Sequence, residues 1–110
     1  SSDLIDIKGV QFLNRSSYSL TGNVWTDMNG SPNGYIYFNV IDQTTGNITY
    51  NTASAKFGDT VQVVYNPYNN YVPDTQYAKD NSKAAGSALL GWGSDSTFTM
   101  PDSNVTVNAR

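Results

Sequence analysis

Apolar and polar residues alternate with a period of two along nearly the whole chain, and a helical period is almost absent. Successive side chains of a strand leave opposite faces, so this pattern describes half-buried sheet. A first strand is predicted within 4–13, where Ile5, Ile7, Val10 and Phe12 recur and Gly9 marks a bulge. A second covers 17–26, with Tyr18, Leu20 and Val24 on one face, and a third covers 35–41, with Ile36, Phe38 and Val40 on one face. Between them, 27–34 holds two Asn-Gly pairs and Pro32, which is strong turn chemistry. Residues 47–52 carry Ile48 and Tyr50, and Phe57-Gly58-Asp59 turns the chain into 60–65, where Val61, Val63 and Tyr65 alternate. Pro67 and Pro73 make 66–74 a loop. The Ala-rich second half of 75–90 is a candidate short helix, weakened by Asn81 and Gly86. Residues 97–100 and 105–107 are predicted to pair as a hairpin about Pro101-Asp102. About seven short strands at this spacing predict an all-β chain, an antiparallel β-sandwich that is immunoglobulin-like in general shape.

At 110 residues the chain suits a single domain spanning 1–110. The opening Ser1-Ser2 without Met is read as a module cut from a longer secreted precursor. Six cations, Lys8, Arg15, Lys56, Lys79, Lys83 and Arg110, are scattered through a chain of net charge -3. That balance disfavours nucleic acid and anionic membrane surfaces, both of which need clustered Lys and Arg. No apolar run approaches the ~20 residues of a membrane helix. Asn, Ser and Thr fill the polar positions and Cys is absent, a profile common in bacterial secreted and surface modules.

Two stretches carry a family resemblance. One is Phe57-Gly58-Asp59-Thr60-Val61-Gln62-Val63 followed by Pro67 and Tyr71; the other is Thr97-Phe98-Thr99-Met100-Pro101 leading into Asn104-Val105-Thr106-Val107. Together they resemble bacterial extracellular β-repeat modules of Gram-positive proteins, with a G-D-x-V strand, a P-x-x-G-Y loop and an F-T-M-P-x-x-x-V-T-V ending. The resemblance covers 48–109. Asn70 stands where that pattern has Gly, and 74–93 looks like an insertion. The resemblance implies an extracellular or cell-surface β-domain, covalently linked to neighbouring modules, and leaves its partner open, because such modules serve as spacers, adhesins or accessory modules of polysaccharide-degrading enzymes.

His, Cys and Glu are all absent, so Asp, Lys and Tyr are the only candidates for acid–base work. Asp27, Asp42, Asp59, Asp74 and Asp102 fall in predicted turns, where Asp side chains bond their own backbone. A glycosidase needs two carboxylates across a cleft; the expectation is a non-catalytic chain without a cofactor. Asp27-Met28-Asn29-Gly30 resembles the opening of a calcium loop but lacks the spacing and the closing carboxylate, so structural calcium and an ordinary turn both stay open.

Strand parity gives the candidate site. With Leu20 and Val24 inward, Thr21, Asn23 and Trp25 point outward; with Ile36, Phe38 and Val40 inward, Tyr35, Tyr37 and Asn39 do. If 27–34 joins the two strands as a hairpin, Trp25 lies opposite Tyr35 and Asn23 opposite Tyr37. Such a strip suits a sugar chain, because pyranose C–H faces stack on the rings while Asn and Thr bond the hydroxyls. It also suits cross-strand pairs that merely support the sheet. A second aromatic group comprises Tyr65, Tyr68, Tyr71, Tyr77 and Trp92, which is either a loop-built contact site or, for Trp92 beside Leu89 and Leu90, a core plug. The expected partner is a plant-type or cell-wall polysaccharide; the alternative is a spacer or adhesin repeat with a protein partner.

Overall fold

The computed structural model describes residues 12–26, 30–94 and 96–110. The predicted strand over 4–13 lies outside these residues except for Phe12 and Leu13, which are exposed and not in a strand. Asp27, Met28 and Asn29 of the candidate calcium loop also lie outside them.

Nine strands and one α-helix make up the described chain: β1 Ser17–Val24, β2 Gly34–Ile41, β3 Ile48–Thr49, β4 Ser54–Lys56, β5 Thr60–Pro67, α1 Thr75–Asn81, β6 Lys83–Ala84, β7 Gly91–Trp92, β8 Thr97–Thr99 and β9 Val105–Ala109. They form a β-sandwich with sheets ordered β4-β1-β9-β6 and β3-β2-β5-β8-β7. The strands not predicted, β4, β6 and β7, are two- and three-residue edge pieces too short to show a period. All pairings between these strands are antiparallel except that of β1 with β9, which runs parallel from Leu20 beside Val105 to Val24 beside Ala109.

Side chains from both sheets fill the core, with Phe98, Met100, Val61, Val105 and Val107 almost wholly enclosed. Leu20, Phe38, Val40 and Val63 extend it, and Tyr18, Ile36, Tyr65 and Trp92 pack against its margin. At Gly22 of β1 an added Cβ would sit 2.8 Å from the Ile36 side chain of β2. Glycine on the inward face of β1 is what lets β2 cross over it.

Two predicted hairpins are instead arches between sheets. β1 and β2 lie in different sheets, with only an isolated antiparallel bridge of Thr26 with Pro32 in the chain between them, and β1 pairs with β4 and β9 rather than with β2. Likewise β8 joins β5 and β7, while β9 joins β1 and β6. Alternation specifies which face of a strand is buried, but a sandwich offers each apolar face both an in-plane and a face-to-face neighbour. The second arch is tied down by side chains: the Tyr18 hydroxyl donates to Asp102, and the Ser19 N–H donates to Asn104 Oδ1 at 3.0 Å.

The α-helix falls in the first half of 75–90; the Ala-rich second half holds no more helix than a 3₁₀ turn, Ala85–Ser87, broken at Gly86. Asp74 caps α1, its carboxylate accepting from the Tyr77 N–H at 3.0 Å. The Ala-rich half instead bends through Gly86, at φ 79°, into short strand pieces. Gly58 (φ 89°) and Asp59 lock the centre of the fold: the Gly58 N–H donates to the Met100 carbonyl, and the Met100 N–H donates to the Asp59 carbonyl.

Candidate functional site

The outward face of the five-stranded sheet follows from register. Tyr35 lies beside Asn66, Tyr37 beside Val64, Asn39 beside Gln62 and Ile41 beside Thr60, while Gln62 also faces Thr97 and Thr60 faces Thr99. Their partners in alternation, Phe38, Val40, Val61, Val63 and Phe98, are in the core, so these residues share the opposite side. No Asp, Lys or Arg occurs among them.

Three tyrosines occupy one end of this face. The Tyr35 and Tyr37 rings are stacked, with centroids 6.4 Å apart and planes at 27°. Tyr68, from the loop after β5, stands 6.3 Å from Tyr35 at 55°. Asn66 fixes the middle ring by donating from Nδ2 to the Tyr35 hydroxyl at 2.7 Å. The loop is held by the Tyr68 N–H donating to the Asn33 carbonyl and the Tyr71 N–H donating to the Tyr68 carbonyl. Asn70 supplies the left-handed turn residue there, at φ 72°, a conformation that Asn tolerates better than most side chains. Tyr35 remains 47% exposed despite these contacts.

Beyond Tyr35 opens a shallow cleft of about 60 Å³ lined by Tyr35, Ile36, Tyr65, Tyr71, Pro73 and Arg110. This space suits a few waters and is too small to enclose a sugar ring. Tyr65 forms part of the inner wall; burial pushes its phenol pKa upward, and its buried hydroxyl finds no hydrogen-bond partner among the described residues.

The other candidate residues disperse. Trp25 is exposed as parity predicts, but it does not face Tyr35. It makes an edge contact with Tyr77 at 6.0 Å, and Arg110 lies over both rings, 4.2 Å from Tyr77 and 5.8 Å from Trp25. The same guanidinium pairs with Asp74 at 3.0 Å. Bonding to the Tyr77 N–H, and then to Arg110, holds the Asp74 carboxyl below its ordinary pKa. Asn23 belongs to the other sheet, where its amide donates to Asn108 at 3.3 Å. Asn39 sits on the predicted side but is 7% exposed: its oxygen accepts from the Asn51 N–H, and its amide donates to Gln62. It therefore holds down the chain after β3. Trp92 packs edge-on to Phe98 at 5.2 Å against the core, so its glycine neighbours do not leave the ring free.

Parity alone missed Asn66 and Gln62, which flank the tyrosines. The pattern over 60–65 already put Gln62 outward, but which strand lies beside β2 was hidden.

A second, polar cavity of about 270 Å³ opens where β3 and β4 edge the sandwich, lined by Asp42, Asp59, Thr49, Thr52, Ser54 and Lys56. Arg15 bridges its two carboxylates at 2.9 and 2.8 Å. Asp42 further accepts from the Thr44 and Thr45 N–H groups, bonds that lower its pKa more than Arg15 does. Buried Asp59 accepts from the Gln43 and Lys56 N–H groups. Among the described residues, no group of three or more carboxylates is placed to hold a metal ion.

Compared with family models, with curated proteins and with solved structures, the chain matches none.

Proposed function

We propose that this chain is a non-catalytic carbohydrate-binding module that lays a polysaccharide across the outward tyrosines of its five-stranded sheet. The observation that carries this reading is the stacked Tyr35–Tyr37 pair, extended by Tyr68 and bordered by amides. Phenol rings present flat apolar faces to the C–H faces of sugars, while Asn66 and Gln62 supply donors and acceptors for ring hydroxyls. Tyr35 and Tyr68, each about half exposed, with Tyr37 partly buried beside them, fit a contact surface better than a sheet support. A plant-type or cell-wall polysaccharide is the intended partner, and the chain works outside the cell as part of a larger protein. Trp25 and Trp92, held in other contacts, are not part of the platform.

Affinity electrophoresis on a panel of plant and cell-wall polysaccharides tests this. The wild-type chain is expected to be retarded by at least one polymer, and Tyr35→Ala and Tyr37→Ala to lose about tenfold in affinity each, equivalent to about 1.4 kcal/mol. Retardation by none of them, or unchanged mobility of both variants, would overturn the proposal and favour a spacer or adhesin with a protein partner.

A further inference from the structure

Resting on that reading, we infer that the ligand is an uncharged polysaccharide bound as a single twisted chain, rather than an acidic polymer or the flat face of a crystalline one. Two independent features of the tyrosine face converge on this class.

The first is charge. The chain carries net charge -3, yet the outward positions of β2, β5 and β8 are Tyr35, Tyr37, Asn39, Ile41, Thr60, Gln62, Val64, Asn66, Thr97 and Thr99, all uncharged. Among the described residues, these positions offer no cation to a uronate, sulfate or phosphate. Arg110 lines the same cleft as Tyr35, and its guanidinium is already paired with Asp74 and stacked on Tyr77. Recognition of a carboxylate or phosphate draws on unspent Arg or Lys donors. A neutral face on an acidic protein instead matches hydroxyls, which amides and threonines bond in either direction.

The second is ring orientation. A crystalline glycan surface presents its sugars in one plane, and stacking on it requires coplanar aromatic rings. The Tyr37 and Tyr35 planes meet at 27° and the Tyr35 and Tyr68 planes at 55°, so the rings do not share one plane. Strand twist contributes to the first angle, the β5 loop to the second. The Asn66 bond to the Tyr35 hydroxyl opposes flattening of the middle ring. Centroid separations of 6.4 and 6.3 Å are comparable with the advance of one sugar along a chain. Rings so placed meet successive residues of a chain that rotates as it advances.

The test compares four probes: soluble xylan and mixed-linkage β-glucan as neutral chains, polygalacturonate as an acidic chain, and microcrystalline cellulose in a depletion assay. Wild type is expected to bind a neutral soluble chain with affinity changed less than about twofold between low and high salt, since neither partner's charge enters. Tyr37→Ala and Tyr68→Ala should each weaken it about tenfold at a temperature where each variant is fully folded. Cellulose should deplete little protein, and polygalacturonate should retard it no more than a blank gel. Preferential binding to cellulose, or salt-sensitive binding to polygalacturonate, would overturn the inference while leaving carbohydrate binding standing. Binding to none of the four, with binding on the wider panel only to acidic or crystalline polymers, would overturn the inference alone; no binding to any polysaccharide would overturn the proposed function as well.

Discussion

Trp25 shows how far one residue's environment is legible in sequence. Alternation with Leu20 and Val24 gave its outward direction correctly, because parity is local. Its neighbours Tyr77 and Arg110 arrive from 52 and 85 positions downstream, and no local pattern reports them. Asn39 fails in the complementary way, since its side is right but chain from beyond β3 covers it. Tyr35 and Tyr37 were legible in direction because alternation along β2 sets the face; Tyr35 is exposed and Tyr37 partly buried among the described residues. These placements separate two roles. Trp25→Ala removes an aromatic edge contact and weakens the cation–ring cluster, so it should lower stability by about 1 kcal/mol in denaturant titration. Its affinity for polysaccharide should stay at the wild-type value. Loss of binding with unchanged stability would assign Trp25 to the ligand surface instead.

At the level of elements, the long strands were visible and the connections were not. β1, β2 and β5 each have eight residues, enough for alternation to register. Turn chemistry in 27–34 reads equally well as a hairpin or as an arch, and the difference lies in Gly22. A side chain there would hold β1 away from β2; glycine lets the two strands stack face to face, leaving β1's edges to β4 and β9. Gly22→Ala should therefore cost about 1–3 kcal/mol through overpacking against Ile36. Equilibrium unfolding checks it, and a neutral or stabilising effect would mean that the sheets separate more readily than the packing implies. α1 was misplaced because alanine content outweighed capping: Pro73-Asp74 sets the start, and Asp74 satisfies a free N–H of the first turn.

For the molecule as a whole, carboxylates join segments distant in sequence. Asp42 and Arg15 connect the β2–β3 turn to the chain entering β1, and Asp74 and Arg110 connect α1 to the end of β9. Both Asp42 and Asp74 have lowered pKa values in the fold, first through backbone N–H donors and then through their arginines. A carboxylate whose pKa is lower folded than unfolded stabilises the fold above its unfolded value near about 4, and that contribution is lost as pH falls through the folded value. The unfolding temperature should thus stay level from about pH 5 to 7 and fall below about pH 4. Tyr18 has the opposite sign: its bond to Asp102 raises its pKa, so its contribution is complete below about pH 10 and is lost at higher pH as the phenol ionises. A melting temperature that stayed level down to about pH 2 would contradict the roles given to Asp42 and Asp74.

Titrating isotope-labelled protein with a soluble neutral polysaccharide, and following each backbone amide by NMR, asks most directly where a ligand sits. Shifts should concentrate at 35–39, 62–68 and 97, while Trp25, Tyr77 and the Asp42–Asp59 cavity stay still. Saturable shifts centred on Trp25 and Arg110, or on that cavity, with Tyr35 and Tyr37 unmoved, would contradict a binding surface built on the outward tyrosines.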